Sequence, residues 1–442
     1  MIFKVDKQTI TDLKIVSDDR SSDIYELFNR TKTVGGAKIL KKMFLCPISE
    51  ANAITKRLHT IKYFKDTKAS FPFKNETFDT IDFYLSDPDE RTLLTTHGND
   101  LQHKVCHLLG ADTEFQKIHK GAVATLQFLL DLKAFIVTIE KKEETKTLQE
   151  DVQAVAKILE IPKLAFLNTI KQTSKLSYVK TAELDRLFRF TLRKDILKLL
   201  NYAFEIDVYI TVAEVSNDLG FNFAEIDPSE ENKIELVGVY HPLVPNAVSN
   251  NVLITEENNM VFLTGANMAG KSTFMKTFGI AIYLAHVGFP VPAKKMVFSV
   301  QNGMFTTINL ADNLNMGFSH FYAEVARVKK VAEAVNENER LIIVFDELFR
   351  GTNVKDAYEA TVEVVNALAN KRKCTFIIST HIIEAGEDLK AIRDNIKFLY
   401  LPTKMKGKVP QYTYTIEDGI TSDRHGMLII ENERILDILK AT

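Results

Sequence analysis

Residues Gly265-Ala266-Asn267-Met268-Ala269-Gly270-Lys271-Ser272-Thr273 carry the spacing G-x-x-x-x-G-K-S. Glycines at both ends permit backbone angles that turn amide N–H groups toward one point, and a helix beginning there adds its positive dipole end. A lysine at position 271 reaches the β- and γ-phosphates of a nucleotide, and the Ser272 hydroxyl can complete a Mg²⁺ shell otherwise made of water and phosphate oxygens. Asp346-Glu347 adds what hydrolysis requires: one carboxylate to support the Mg²⁺ through its water shell, and one to orient or deprotonate the attacking water. His381, following Thr380, can sense the γ-phosphate. Singly, each has an ordinary structural explanation as a Gly-containing turn, a helix N-cap or a structural histidine. In this order they point to hydrolysis of a nucleoside triphosphate.

Such groups meet only at the C-terminal ends of neighbouring parallel strands. The apolar runs Met260–Leu263, Leu341–Phe345 and Thr375–Ser379 predict those strands, and the spacing from Phe274 to Leu284 predicts the helix that the glycine loop opens into. Ile234–Val239 predicts another strand, leading to His241-Pro242. Ile396–Leu401 and Tyr412–Ile416 predict the last two, with a closing helix from His425 to Leu439. Upstream, residues 71 to 216 read almost entirely as helix, with few glycines or prolines. Gly121–Thr145 has helical apolar spacing, Thr181–Val215 predicts one long helix suited to a lever or strut, and Thr31-Lys32-Thr33-Val34-Gly35-Gly36 predicts a break. The polar run Asp227–Lys233 predicts a linker. The expected fold is multidomain, with an all-α helical core/lever region over residues 1–230 and an α/β P-loop NTPase domain over 231–442.

The chain has 442 residues, enough for two or three cores, and is 45% hydrophobic and 26% charged, as a globular protein is. Its net charge of −2 gives no global attraction to nucleic acid, so any such contact must come from a local patch. Cys46, Cys106 and Cys374 are widely spaced and match no metal-ligand pattern. With no signal peptide and no apolar run near membrane-spanning length, the expectation is a reduced, cytoplasmic, soluble protein.

Thr264 to Thr273 resembles the T-G-P-N-M-x-G-K-S-T loop of the MutS family of DNA mismatch-repair ATPases, and its inner Asn267-Met268 is far more specific than the general glycine-loop pattern. Asp346-Glu347-Leu348-Phe349-Arg350-Gly351-Thr352 is similar to that family's D-E-x-x-R-G-T, Thr380-His381 to its T-H switch, and His241-Pro242 to the pair that opens its ATPase domain. Gly317-Phe318-Ser319-His320-Phe321-Tyr322-Ala323-Glu324 resembles the G-x-S-T-F-x-x-E signature, with Phe318 where the family usually has a basic residue. In the helical half, Thr31 to Leu40, Pro47 and the helix carrying Arg57 resemble the family's core.

The resemblance implies an ABC-type ATPase binding ATP and Mg²⁺ through residues 265–273. Ser272 and Asp346 would serve the metal, Lys271, Glu347 and His381 the chemistry, and Ser319 would reach a γ-phosphate held by the partner of a homodimer formed through the ATPase domains. It further implies DNA binding in repair or recombination, with a repair-protein partner possible in principle. The chain starts where the family's core begins, so the mismatch-reading and connector domains are expected to be absent, which weighs against mismatch specificity. Only about 35 residues lie where the family inserts its DNA clamp. They and the following helix carry Lys171, Lys175, Lys180, Arg186, Arg189, Arg193 and Lys194, a set that fits phosphate contacts or a solvated helix face. The alternative reading is a nucleotide-switched ATPase that binds a protein partner rather than DNA.

Overall fold

The computed structural model describes residues 2–17, 23–87, 89–94, 113–140, 146–170, 176–229, 231–308, 320–337, 340–406, 409–421 and 435–440. The first elements in chain order are β1 (Lys4–Val5), α1 (Lys7–Asp12), α2 (Ile24–Phe28), α3 (Val34–Leu45), α4 (Ala51–Thr67) and α5 (Asn75–Ser86). Helices α6 (Thr113–Glu140), α7 (Lys146–Leu159), α8 (Tyr178–Asp185) and α9 (Arg193–Leu219) complete the helical half. The sheet-containing part follows with β2 (Glu225–Ile226), β3 (Ile234–Val239), β4 (Asn250–Ile254), β5 (Met260–Gly265), α10 (Lys271–Val287), β6 (Lys295–Phe298) and β7 (Gly303–Thr307). Next come α11 (His320–Glu337), β8 (Leu341–Asp346), α12 (Val354–Ala369), β9 (Thr375–Ser379), α13 (Ile383–Ile392) and β10 (Ile396–Leu401). The chain closes with β11 (Thr403–Lys406), β12 (Val409–Tyr412), β13 (Glu417–Asp418) and α14 (Ile435–Lys440).

Contacts gather these elements into two compact units, and neither is one continuous stretch. One comprises Met1–Leu27, Met43–Leu58 and Val215–Thr442; the other comprises Phe28–Lys42 and His59–Glu214. The N-terminal segments thus fold with the sheet-containing part, where a single cut near residue 230 is expected from the sequence.

In the first unit a seven-stranded sheet runs in the order β1-β7-β8-β9-β5-β10-β13, parallel throughout except for β13. Its central strands β5, β8 and β9 are buried on both faces, which is why they read as unbroken apolar runs rather than alternating ones. One face packs on a core that includes Phe262, Ile343, Phe376, Val365 and Leu389. Helix α10 is buried almost all round, in keeping with apolar residues on every face. A four-stranded sheet, β2-β6-β3-β4, and the β11–β12 hairpin complete the strands. Tyr412–Ile416, expected as one strand, ends its pairing at Tyr412, opposite Thr403. Residues 413–416 then turn away, with Tyr414 at φ 57°.

The N-terminal segment is fastened by polar groups. The Asp6 carboxylate caps α1 by accepting from Thr9 N at 3.0 Å and pairs with Arg327 and with Lys330. Asp12 Oδ2 accepts from Thr306 Oγ1 at 2.7 Å and from Ile308 N at 2.9 Å. Beside this seam His286 is fully buried, stacked on Phe3 with ring centroids 3.9 Å apart. Its Nδ1 lies 2.7 Å from Ile48 O and its Nε2 accepts from Gln301 N at 3.3 Å, an arrangement that requires the neutral ring.

Burial, against a smaller opposing effect of the Ile48 carbonyl, pushes the His286 pKa down to about 4. Because the unfolded chain takes up this proton near pH 6.5, the stabilisation is complete above that pH and is lost as the pH falls toward 4. It amounts to about 3 kcal/mol. The stability difference between the native chain and His286→Gln, followed by urea denaturation from pH 7.5 to 4.5, is therefore expected to shrink toward the acid end. A pH-independent difference would show that His286 is not held neutral.

The second unit is helical. Gly121 on α6 lets α5 approach so closely that a Cβ there would lie 2.2 Å from Tyr84 Cγ. Phe73, Phe78, Phe128 and Phe204 form its aromatic centre. Helix α6 is long and apolar enough to cross a membrane by length and composition alone. In this unit part of its apolar surface is buried, including Leu126, Phe128, Leu129 and Leu132, while Val137 is exposed.

Two expectations change here. The expected break falls at residues 29–33, between α2 and α3, but Gly35 and Gly36 lie beyond it in the first turn of α3, capped by Thr33 Oγ1, which accepts from Gly36 N at 2.9 Å. They are glycines because added Cβ atoms would meet the Phe204 ring and Asp207 Oδ2, each at 2.5 Å. Thr181–Val215 is not one helix either: a π-helical stretch, Arg186–Thr191, separates α8 from α9. A buried polar cluster lies at this stretch. Arg189 Nε and Nη2 donate to the two oxygens of Asp185, at 2.5 and 2.7 Å, while Nη1 donates to Thr92 Oγ1 at 2.7 Å and Nη2 also donates to Thr92 O at 3.1 Å. Of the expected closing helix, only Ile435–Lys440 falls within the described residues, as do neither Lys171 nor Lys175.

Candidate functional site

Strand order explains how the chemically interesting side chains meet. β9 lies between β5 and β8, so the loop leaving β5 crosses the end of β9 to reach β8. Gly265 at φ 151°, Met268 at φ 68° and Gly270 at φ 105° shape this loop, and Gly270 opens α10 without any side-chain cap. The first amides of α10 are thereby left for a ligand, at the positive end of the helix dipole. Asn267 and Met268 are exposed at the tip, Ala266 and Ala269 are buried beneath, and Thr273 is exposed in the first helical turn.

Lys271 is buried and bends back along the loop, its Nζ donating to Gly265 O at 2.9 Å and Ala266 O at 3.4 Å. Burial lowers its pKa, opposed by the nearby Glu347 and Asp346 carboxylates. Ser272 Oγ donates to Asp346 Oδ2 at 2.5 Å, and Ser379 Oγ donates to Asp346 Oδ1 at 2.5 Å. Glu347 sits in the left-handed region at φ 58°, its N–H donating to Ser379 O at 3.1 Å. Its Oε1 lies 2.7 Å from His381 Nε2, and Arg350 approaches its other oxygen at 3.6 Å. The His381 hydrogen bond is the main reason the Glu347 carboxyl falls below its usual pKa, against the opposing effect of burial. Arg350 also lies 3.7 Å from Glu324.

The structure thus brings together Lys271, Ser272, Asp346, Glu347 and His381, contributed by β5–α10, β8 and β9. Ser319 lies outside the described residues, as do Gly317 and Phe318. Ser272 and Asp346 offer two hard oxygen donors at a helix N-terminus, a fit for Mg²⁺, which keeps most of its shell for water and phosphate.

Beside the loop opens a cavity of about 610 Å³, within the range of small-molecule sites. Its far wall includes His241, Asn246, Val248, Asn250 and Tyr414, and Glu347 closes one end. Asn250 binds the 414–416 turn with both ends of its amide, donating to Tyr414 O at 3.0 Å and accepting from Ile416 N at 2.8 Å. This holds the Tyr414 ring so close that a Cβ at Gly270 would lie 3.1 Å from its Cδ1. Burial, reinforced by Lys276 and Lys14, pushes His241 down to about 4, so its ring is neutral at physiological pH. Sequence reasoning missed Asn250, Ser379 and Tyr414.

Residues 261–438 match the MutS domain V family. The DNA mismatch repair protein MutS of Thermotoga petrophila is 22% identical over 98% of the chain, and the chain spans 64% of that protein's length. The proteins of the same name from Persephonella marina and Petrotoga mobilis are each 30% identical, over 50% and 52% of this chain and 25% and 28% of their own lengths. The domain match covers most of the sheet-containing part that builds the site, and the Thermotoga likeness extends through the helical half, so the comparisons support a member of the MutS family.

Proposed function

We propose that the chain is an ATPase whose residues 231–442 form an ABC-type P-loop domain and whose helical residues 1–230 respond to its nucleotide state. What supports this best is the meeting of Ser272, after β5, with Asp346 and Glu347, at the end of β8, beside an uncapped helix N-terminus. In this reading the loop amides of 265–270, with Lys271 and Thr273, bind the ATP phosphates, and the cavity facing Tyr414 takes the base and sugar. Lys271 exchanges its hold on Gly265 O for a phosphate oxygen. Ser272 and Asp346 hold Mg²⁺, which when bound screens the phosphate charge. Glu347 orients the attacking water and accepts its proton, and His381 moves from Glu347 toward the γ-phosphate. Ser319 completes the site of the opposite protomer in a homodimer. The names of the relatives support DNA as the macromolecular partner and DNA repair as the setting.

The test is phosphate release by the purified chain with ATP and Mg²⁺, together with anisotropy on homoduplex, mismatched, branched and single-stranded DNA. ATP turnover and nucleotide-dependent DNA retention are expected. Lys271→Ala should weaken ATP binding by about tenfold or more, the worth of one charge-assisted hydrogen bond. Turnover unaffected by that change would refute the assigned site. Intact turnover with no DNA retained at low salt would redirect the search to a protein partner.

A further inference from the structure

Between Phe28 and Leu45 the sequence holds Arg30, Lys32, Lys38, Lys41 and Lys42 and no acidic residue. All five are exposed. At about 100° per residue, Val34, Lys38, Lys41 and Lys42 fall within one arc of about 100° on α3. Val34 on that face is 61% exposed.

An ordinary solvated helix face would pair its lysines with carboxylates three or four residues away. Some lysines on other helices are held in this way: Lys180 pairs with Glu183, Lys198 with Asp195, Lys329 with Glu333 and Lys355 with Glu359. On α3 and just before it, among the described residues, none of the ammonium groups of Lys32, Lys38, Lys41 and Lys42 pairs with a carboxylate. The nearby acid, Asp207, is buried and spent on the helix start, accepting from Lys32 N at 3.0 Å and from Thr33 N at 2.8 Å.

We infer that this face of α3 binds the phosphate backbone of duplex DNA, without reading its sequence. The inference rests on the DNA-binding part of the function proposed above. Charge complementarity selects the occupant. Three flexible ammonium groups project over about 6 Å of helix, and a duplex presents one phosphate charge for about every 1.7 Å of its axis. No carboxylate on α3 opposes the approach. The patch supplies a local positive field, which the net charge of −2 does not itself provide.

The experiment compares the native chain with the triple variant Lys38→Gln/Lys41→Gln/Lys42→Gln on labelled homoduplex DNA, between about 50 and 200 mM salt. A Lys→Arg triple at the same positions keeps the charge, and Lys198→Gln/Lys329→Gln/Lys355→Gln removes paired lysines elsewhere. Each lost phosphate contact reduces the slope of log K against log salt by about 0.9, so the α3 triple should lose about 2.7. Its affinity at 0.1 M salt should fall on the order of 10²-fold. The Arg triple and the paired-lysine control should keep the native slope, and circular dichroism should show all variants folded. A native slope in the α3 triple overturns the inference while leaving DNA binding standing. No retention by the native chain at low salt overturns both. Sedimentation with phosphatidylserine vesicles through these lysines, without duplex binding, assigns the face to membranes and overturns it as well.

Discussion

Glu347→Gln is expected to leave ATP bound while slowing its turnover by about 10²–10⁴-fold, the usual worth of a positioned general base. The substitution is nearly isosteric, and glutamine tolerates the φ of 58° at this position no worse than glutamate. Its amide oxygen can still accept from His381, so the architecture of the strand end should survive. What is lost is the ability to take a proton. Because the His381 hydrogen bond holds the native carboxyl below its usual pKa, Glu347 is ionised throughout the neutral range and its protonation should not limit the rate there. It is also a weak base while His381 holds it at 2.7 Å, so productive chemistry requires that bond to loosen. Single-turnover phosphate release beside equilibrium binding of labelled ATP separates the two effects. Turnover within threefold of native would remove Glu347 from the proposed role.

Arg189→Met is expected to destabilise the helical unit by about 3–5 kcal/mol, because it strands a buried carboxylate. Asp185 is fully buried, and besides Arg189 it has the Tyr84 hydroxyl as donor, at 2.8 Å. Burial first, and the Asp185 charge second, raise the Tyr84 phenol well above its usual range, so it serves as a donor at every physiological pH. The double variant Asp185→Leu/Arg189→Met should recover much of the loss, since an apolar pair leaves no unpaired charge. The chain has no tryptophan, so helical circular dichroism in urea is the appropriate signal. A single variant within 1 kcal/mol of native would mean that water reaches Asp185 when the arginine is gone.

The phosphate loop and the three strand ends were legible because their residues are contiguous and each strand is buried on both faces, leaving unbroken apolar runs. The other wall of the cavity was not. Tyr414 lies far from the loop in sequence, and nothing in the pattern around it announces a turn held by an amide 164 residues away. The helical half misled for the opposite reason. Glycines at 35 and 36 spoke for a break, yet they are there for close packing, while Thr181–Val215 has no glycine or proline to announce its π-helical stretch. An ion pair between residues four apart, folded inward on Thr92, reads in sequence as a surface pair.

Lys4 pairs with Gly303, and Asp12 is bonded to Thr306 at a separation of 294 residues. On a ribosome adding about 5–20 residues per second, the first strand emerges roughly 15–60 s before its neighbour exists. Throughout that interval Phe3, Leu13 and Ile15, all buried in the finished protein, have no sheet to join. Completion of the sheet is therefore a late event in synthesis, and the opening fifteen or so residues are the natural place for a chaperone to hold the nascent chain.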